Sequence, residues 1–357
     1  MNFDYNEEQQ LLADSVRRFL AKDYDFEARR KIVASDAGWS PAAWNTLAEM
    51  GLTGLPFGSE HGGFGGGAVD LMGVMEAFGE ALVVEPYLPT LIGGLAIARS
   101  PLAGSILPGV VEGKTRLAFA HAEKGARYDL AAVNARARKA GADWTIEGEK
   151  AAVVGAPMAD RLVVSAQTGD GIGLFLTERQ ESKQHRTLDE MRAADVAFRG
   201  QRAQRLEGGP DLIEELTDFA TALACAEAVG AMKFACDATL EYLKTRRQFG
   251  VPIGTFQALQ HRMVDMFIAQ EQARSMACMA CSKVDQTGDR KERARAVSAA
   301  KIKIADSARH ISQESVQLHG GMGMSEELKI SHTFRRLTVI AAQFGDADHH
   351  LARFATL

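Results

Sequence analysis

The spacing of apolar residues changes twice along the chain, and this change constrains the fold more than any other feature. Apolar residues recur at helical spacing up to about residue 113, alternate with a period of two from about 114 to 207, and return to helical spacing from about 208 to the end. A period near 3.6 predicts helices, and a period of two predicts strands. We therefore predict an α+β protein with a helical domain over 1–113, an antiparallel β domain over 114–207 and a second helical domain over 208–357.

Start and stop signals support helices in the first domain. In "SPAAWNTLAEMG", Ser40 can act as an N-cap, Pro41 suits the first turn, and Gly51 can end the helix. Further on, Gly58–Gly67 reads "GSEHGGFGGG". Such a run either brings bare backbone close to a ligand or forms a long flexible loop, and the residues alone leave both interpretations open.

Four stretches carry strand periodicity in the middle domain. "TRLAFAHA" predicts one strand, "VNARARKAGADWTIEGEKAAVVG" predicts three strands joined by turns, and "AADVAFRG" predicts a last strand. "RLVVSAQTGDGIGLFLTE" predicts a hairpin whose turn is "TGDG".

The last domain is predicted to be a four-helix bundle built from the segments 211–244, 257–286, 290–318 and 328–354. An edge of small residues lies at helical spacing on the first segment and permits close helix approach: Ala220, Ala224, Ala228 and Ala231. Gly320–Gly321 ends the third segment.

Composition excludes several classes of partner. The net charge is −5, with acidic and basic residues interspersed, so nothing predicts binding to nucleic acid or to an anionic membrane. The longest apolar stretches, such as "PTLIGGLAIA", are shorter than the ~20 residues of a membrane helix, and the acidic start "MNFDYNEEQQ" is unlike a secretory signal. Four cysteines without disulfide-like spacing favour a reducing compartment, so a cytoplasmic protein is expected. Cys278 and Cys281 form a CxxC inside a helical pattern, which favours two small core residues over a metal or redox site.

Two polar and glycine-rich motifs follow helices of the last domain. Arg246, Gln248 and Phe249 end the first helix, where a cation either caps the helix or clamps a diphosphate with its guanidinium. Gln317, Gly320, Gly321 and Gly323 form Q-x-x-G-G-x-G, which is either a helix C-cap or a bare backbone loop against a ligand.

The stretches around both motifs, "RRQFGVPIGTFQALQHRMVDM" and "QLHGGMGMSEELKISHTFRR", resemble the two signature regions of the acyl-CoA dehydrogenases. "FGSEHGGFGG" and "WTIEGEKAAVVGAPMAD" are similar to stretches of the family's first two domains, so the resemblance spans the chain. It implies an FAD enzyme that dehydrogenates an acyl-CoA thioester and passes electrons to an electron-transfer flavoprotein. It also implies an oligomer in which one subunit contacts the FAD of its neighbour through these residues: Arg246, Gln248, Phe249, Gln317, Gly320, Gly321 and Gly323.

The sequence departs from the family at the catalytic base. The family's Glu falls on Gly345 in "QFGDADHH", and the alternative Glu position of a minority falls on Ala220. Asp346 is the nearest substitute if burial raises its pKa, but it is also a suitable helix N-cap, with Asp348 in the first turn. His349 and His350 are expected on a wall or an interface.

A second departure concerns the middle domain. The family's "T-E-P-x-x-G-S-D" is "HAEKGARYD" here, which keeps Glu123 and Gly125 but has no Ser. The family's flavin-packing "W-I-T" falls on Ala152, Val153 and Val154. The resemblance therefore no longer implies a threonine hydroxyl beside the flavin, and the two valines are equally consistent with strand core.

The short chain and "GEALVVEPYLPT" resemble the small subunits of heteromeric acyl-CoA dehydrogenases, such as that of pimeloyl-CoA dehydrogenase and those of steroid side-chain breakdown. We therefore predict a subunit whose paralogous partner supplies the Glu. Two alternatives are a flavin-dependent monooxygenase on the same fold, which needs no such base, and a non-catalytic structural subunit.

Overall fold

The structure is a computed structural model that describes residues 5–180, 182–286 and 288–357. The helices within these ranges are α1 (Glu7–Asp23), α2 (Phe26–Ala34), α3 (Pro41–Glu49), α4 (Ala68–Ala81), α5 (Tyr87–Ala98), α6 (Ala103–Val111), α7 (Pro210–Thr245), α8 (Gln257–Asp285), α9 (Arg290–His319), α10 (Lys329–Ala342) and α11 (Ala347–Thr356). The strands are β1 (Leu117–Ala120), β2 (Arg136–Ala140), β3 (Asp143–Val154), β4 (Arg161–Thr168), β5 (Gly171–Glu178), β6 (Ser182–Arg186), β7 (Arg192–Arg205), β8 (Arg247–Gln248) and β9 (Val251–Pro252). The helix–strand–helix order predicted from the apolar spacing is confirmed.

The predicted caps of α3 are also confirmed. The Ser40 side chain accepts a hydrogen bond from the backbone N–H of Ala43, and Pro41 is the first helical residue. Gly51, just beyond the helix, adopts a left-handed conformation with φ of 79°, which glycine reaches without the steric cost of a Cβ.

Antiparallel pairing dominates the β domain, as expected, but two pairings are parallel. The strand order is β1-β4-β2-β3-β7-β5, with β6 beside β7, and a further β4–β5 pairing closes a ring of five strands. β1 and β2 each run parallel to β4. Parallel neighbours need a long connection, and the segment between the end of β1 and the start of β4 supplies it.

Two of the three strands predicted within 133–155 are one long strand, β3. Its pairing with β7 shifts register between Lys150 and Val153, and Ala152 within this bulge has φ of 50°. The bulge bends a continuous strand where the sequence pattern suggested a turn. The β4–β5 hairpin was predicted correctly, including its turn.

The chain forms two compact units. The first comprises Met1–Arg29, described from Tyr5, with Ala68–Val83 and Thr221–Leu357, and the second comprises Arg30–Gly67 and Val84–Ala220. Buried alanines and larger aliphatic residues of α7, α8, α9 and α10 form the core of the first unit. Residues facing into the strand ring form a core of the second.

Small residues allow α4 and α7 to touch in the first unit. A Cβ on Gly79 would lie 1.9 Å from the Glu227 carbonyl oxygen, and one on Gly230 would lie 1.8 Å from that of Glu76. Neither glycine can therefore be replaced without separating the helices. α7 is long and apolar enough to cross a membrane, but 83% of its most apolar window is buried inside the structure, as in a core helix.

The segment 328–354 was predicted to be one helix and is two. α10 ends at Ala342 and α11 begins at Ala347. Phe344 and Gly345 between them have positive φ values of 60° and 120°, which no right-handed helix can contain. The break lies within "QFGDADHH".

Cys278 and Cys281 lie on α8, as predicted, one half-buried and the other fully buried. Burial raises the pKa of the Cys281 thiol well above its usual value, so this thiol is not a ready nucleophile.

Candidate functional site

The first motif forms a tight hairpin after α7. β8 and β9 pair as Arg247 with Pro252 and Gln248 with Val251, which leaves Phe249 and Gly250 as the two-residue turn. Both have positive φ, 52° and 81°, the conformation of a type I′ hairpin turn. A bulky residue rarely adopts positive φ, and here the turn holds the Phe249 ring 91% exposed at the hairpin tip.

Arg246 precedes this hairpin and is also exposed. Its backbone N–H continues the helical pattern to the Tyr242 carbonyl oxygen at 2.8 Å. The Arg246 guanidinium makes no hydrogen bond or ion pair with any residue that the structure describes. The structure therefore gives no support to the capping interpretation, and the cation is left available to a ligand.

The glycines of the second motif form a 3-10 turn, Gly320–Met324, directly after α9. Gly320 has φ of 61° and ψ of −146°, and its N–H bonds to the Gln317 carbonyl oxygen, so it ends the helix with a backbone that only glycine adopts readily. Gly323 is needed for packing, because a Cβ there would lie 2.5 Å from the Val316 carbonyl oxygen. Gly321 has ordinary φ and open space around its Cβ position, so neither backbone nor packing within this chain explains its missing side chain.

An aromatic contact brings the two motifs to the same end of the helices. The rings of Tyr242, in the last turn of α7, and His319, the last residue of α9, stack with centroids 4.4 Å apart. The His319 Nδ1 lies 2.8 Å from the Ser315 carbonyl oxygen, and burial lowers the pKa of this imidazole. The neutral His319 ring therefore donates through Nδ1 to its own helix, α9, and the Tyr242 ring stacks on it. The predicted cofactor contacts are therefore neighbours, although about 70 residues separate them in sequence.

The position that matches the family's Glu is crowded by two histidine rings. Gly345 has φ of 120°. A Cβ there would lie 2.5 Å from His350 Nε2 and 2.6 Å from His349 Cδ2. Real Cβ atoms do not approach other atoms so closely, so a Glu at 345 would require both imidazole rings to shift, in addition to the strain of a positive φ.

Asp346 begins α11, as its N-cap interpretation predicted. Its carboxylate accepts a hydrogen bond from the His349 N–H at 2.8 Å. His350 is buried, with Nε2 3.1 Å from the Phe344 carbonyl oxygen and Nδ1 3.2 Å from Ser298 Oγ. Because a carbonyl only accepts, Nε2 carries the proton and Nδ1 accepts from the hydroxyl. Burial, with the nearby charges of Lys301 and His349, lowers the pKa of His350 to about 3, so the ring is neutral and packs against the turn through its bond to Phe344.

Sequence reasoning missed the lysine that holds this turn. The Lys301 Nζ, fully buried on α9, donates to the carbonyl oxygens of Ile340 at 2.6 Å, Ala341 at 3.2 Å and Gln343 at 2.7 Å. These carbonyls lie at and just beyond the C-terminal end of α10, where carbonyls run out of helical partners; that of Ile340 also accepts the Gln343 N–H at 3.2 Å. Burial lowers the pKa of Lys301 to about 8. No local pattern could reveal this cap, because the lysine lies some 40 residues away on another helix.

A buried ion pair was missed for the same reason. The Arg336 guanidinium on α10 binds both carboxylate oxygens of Glu227 on α7, each at 2.7 Å. Such a bidentate pair fixes both position and orientation. Ala220, the other position that matches a family Glu, is a fully buried residue of α7.

Within the second unit, Glu123 has a structural role. Its carboxylate accepts hydrogen bonds from the N–H groups of Asn134 and Ala135 and from the Lys150 Nζ, at 2.7, 3.0 and 2.7 Å. Burial alone would raise the pKa of Glu123, but these donors hold it below its usual value. Burial lowers the pKa of Lys150 to about 8 despite this partner. The surviving glutamate of "HAEKGARYD" therefore anchors the loop before β2 to β3.

Two residues of the stretch that replaces the family's flavin-packing residues, Val153 and Ala152, differ in burial. Val153 is buried in the strand-ring core, as its strand-core interpretation predicted. Ala152 is exposed in the β3 bulge, where its N–H bonds to Asp195 Oδ1 at 2.8 Å. His121, which precedes Glu123, is a further neutral histidine, because burial and then Lys150 lower its pKa to about 4.

The chain matches the family models of all three acyl-CoA dehydrogenase domains. The N-terminal domain matches residues 6–100, the middle domain residues 118–206 and the C-terminal domain residues 207–356. Among curated proteins it is similar to "Acyl-CoA dehydrogenase IpdE2" of Mycobacterium tuberculosis, 30% identical over 92% of this chain and 91% of that protein.

Solved structures agree over almost the whole length. A glycine-to-alanine variant of the Tcur3481–Tcur3483 steroid ACAD superposes with a TM-score of 0.91, at 30% identity over 98% of this chain and 97% of that chain. The ChsE4–ChsE5 complex from Mycobacterium tuberculosis has a TM-score of 0.92 over 100% of this chain and 98% of that chain, and at 23% identity this likeness shows the fold. The protein belongs to the acyl-CoA dehydrogenase family, whose members are FAD-dependent oxidoreductases acting on CH–CH groups.

Proposed function

We propose that this chain is the FAD-contacting subunit of a heteromeric acyl-CoA dehydrogenase whose partner subunit supplies the catalytic Glu. One observation carries the proposal: the family's Glu position is a glycine with positive φ, and the His349 and His350 rings occupy the space that a side chain there would need. The other family position is Ala220, which cannot move a proton. Removing the weakly acidic α hydrogen of a thioester needs a positioned base, so the complete enzyme must obtain it from a second chain.

The residues of the two motifs fit FAD. The unpaired guanidinium of Arg246 suits a diphosphate, which it can bind with two parallel N–H groups. The bare backbone at Gly321 permits close approach of a flat or charged group. The exposed Phe249 offers a ring surface, and Gln248 and Gln317 are exposed amides of the two motifs. When bound, FAD supplies the acceptor for the β hydrogen of the substrate.

The relatives support a heteromer. The names of the steroid ACAD and of the ChsE4–ChsE5 complex each join two different chains. We propose the same arrangement here, with an acyl-CoA as substrate and an electron-transfer flavoprotein as the electron acceptor.

The rival is a self-sufficient enzyme that uses Asp346 as its base. This carboxylate already serves as the N-cap of α11, where it accepts the His349 N–H. Protonating it would weaken that cap. Asp346 would have to serve both as the helix cap and as the base, and this conflict favours the partner's Glu as the base.

The test is co-expression of this chain with each acyl-CoA dehydrogenase chain of the same organism that retains the Glu, one at a time. Bound FAD and oxidation of acyl-CoA by an artificial electron acceptor are expected only for one mixture, and Asp346→Asn should leave that activity intact, since Asn is an equally good N-cap. Full activity of the lone chain, abolished by Asp346→Asn, would overturn the proposal.

The cofactor contacts need their own test. Arg246→Ala should reduce the FAD retained by the active mixture by at least tenfold, because a charge-assisted bidentate contact contributes roughly 1.5–3 kcal/mol. Lys244→Ala is the matched control, since Lys244 is an exposed cation two residues earlier that pairs with Glu241 at 2.7 Å. Equal FAD loss in both variants would refute a specific role for Arg246.

A further inference from the structure

One hydrogen-bond acceptor between the two motifs has no role within the chain. His319, the last residue of α9, is only 6% exposed. Its Nδ1 donates to the Ser315 carbonyl oxygen 2.8 Å away, and burial lowers the pKa of the ring, which is therefore neutral. A neutral imidazole carries one hydrogen, so the other nitrogen, Nε2, is an acceptor. Among the residues that the structure describes, none donates to this Nε2.

The Nε2 atom lies at an opening in the fold. It is not one of the described polar atoms that are both sealed from solvent and without a partner, so a donor from outside the chain can reach it. The rest of the ring is enclosed. An acceptor in such a partly enclosed place gains more from a ligand's donor than one that is open to water on all sides.

Both motifs fix the direction in which Nε2 points. The Tyr242 ring, in the last turn of α7, stacks on the His319 ring with centroids 4.4 Å apart and planes 26° apart. The glycine turn also packs against this residue, because a Cβ on Gly323 would lie 3.0 Å from His319 Cβ. A ring that is stacked, packed and bonded to its own helix rotates little, so a ligand meets an acceptor that is already oriented.

We propose that His319 is an FAD-binding residue whose Nε2 accepts a hydrogen bond from the amino group of the adenine ring. This inference rests on the proposed function, in which the hairpin after α7 and the glycine turn after α9 hold FAD. The flavin ring must meet the substrate and the partner's Glu, which leaves the adenine end for this chain to enclose. Adenine is flat, which suits the bare backbone at Gly321, and its amino group donates from the edge of the ring.

The test pairs a change in the protein with a change in the cofactor. The probes are FAD and its hypoxanthine analogue, in which an oxygen replaces the adenine amino group. Each is titrated into the active mixture of this chain and its partner after removal of the flavin, and its dissociation constant is measured from the change in flavin fluorescence. His319→Phe keeps a ring to stack on Tyr242 but has no acceptor. His310→Phe is the matched control, since His310 is an exposed histidine of the same helix.

The unmodified mixture should bind FAD at least about fivefold more tightly than the analogue, because the analogue brings an oxygen without a hydrogen to Nε2. His319→Phe should weaken the binding of FAD about threefold to tenfold and should bind the two dinucleotides equally well. His310→Phe should keep the unmodified preference for FAD. His319→Asn, whose shorter amide does not reach the Nε2 position, takes the place of the Phe variant if circular dichroism shows that the latter is unfolded.

Equal binding of the two dinucleotides by the unmodified mixture would overturn the inference and leave the proposed function standing. An unchanged preference for FAD in the folded His319 variant would also overturn it, since the group that recognises the amino group would then lie elsewhere. Loss of the preference in His310→Phe would overturn it as well, because the effect would not be specific to His319. If no mixture takes up FAD, the proposed function is refuted, and this inference falls with it.

Discussion

Replacing Gly345 by Ala tests whether the base position is closed. The residue has φ of 120°, and a conformation so unfavourable for an L-residue costs about 1–3 kcal/mol. The new Cβ would also lie 2.5 Å from His350 Nε2, so the ring must move and lose its bond to the Phe344 carbonyl oxygen, at a further cost of about 1–3 kcal/mol. We expect the free energy of unfolding to fall by about 2–6 kcal/mol in urea denaturation followed by circular dichroism.

Gly288→Ala separates the backbone cost of the positive φ from the cost of the collision with His350. Gly288 belongs to the same unit and has a similar φ of 129°, but among the described residues none beyond its chain neighbours lies within 4 Å of its Cβ position. It should show the backbone cost and the unfolded-state effect of Ala, but not the collision with His350. In addition, Gly345→Ala should be less costly in a His350→Ala background. If Gly345→Ala destabilises no more than Gly288→Ala, the reasoning that closes this position to a Glu is wrong.

Three further outcomes are expected. Gly345→Glu in the lone chain should give no acyl-CoA oxidation, and measurable turnover would contradict the closed turn. The folded pKa of His350 is about 3, below its unfolded value, so the contribution of this ring to stability is complete above about pH 6.5 and falls by about 1.4 kcal/mol per pH unit below that. In His350→Gln, the plot of the urea-derived free energy of unfolding against pH should therefore be shallower by about 1.4 kcal/mol per pH unit between about pH 6.5 and 4.5. A slope equal to that of the unmodified protein would refute the buried neutral ring. Glu227→Gln should cost about 3–5 kcal/mol by leaving the buried Arg336 charge without its carboxylate, and the double variant with Arg336→Met should cost less than the sum of the single variants in the same unfolding assay.

Much of the fold was predictable because its signals are local. The helix–strand–helix order follows from periodicities that depend only on neighbours a few residues apart. The α3 caps at Ser40 and Pro41 and the β4–β5 hairpin are likewise set by short stretches. The family, and with it FAD, was predictable from motifs that lie within single segments of the chain.

The parts that could not be predicted depend on residues distant in sequence. The break in the helix expected over 328–354 has one local signal, the N-cap residue Asp346, but the lysine that holds the end of α10, Lys301, comes from a distant segment. The parallel pairing of β1 with β4 depends on the intervening segment, which carries β2 and β3 and makes the long connection. The alternation pattern of β1 is the same for either pairing direction.

The sequence by itself therefore determined the element types, the family and the absence of a glutamate at positions 220 and 345. Only the tertiary structure decided that the turn at Gly345 has no room for a side chain and that the Tyr242–His319 stack joins the two cofactor motifs. The Tyr242–His319 stack depends on which distant segments the fold brings together, whereas backbone preference and apolar period act within a few residues. The rings that crowd Gly345 are only four and five residues away, but the spacing of residues along the sequence does not say where a turn directs them.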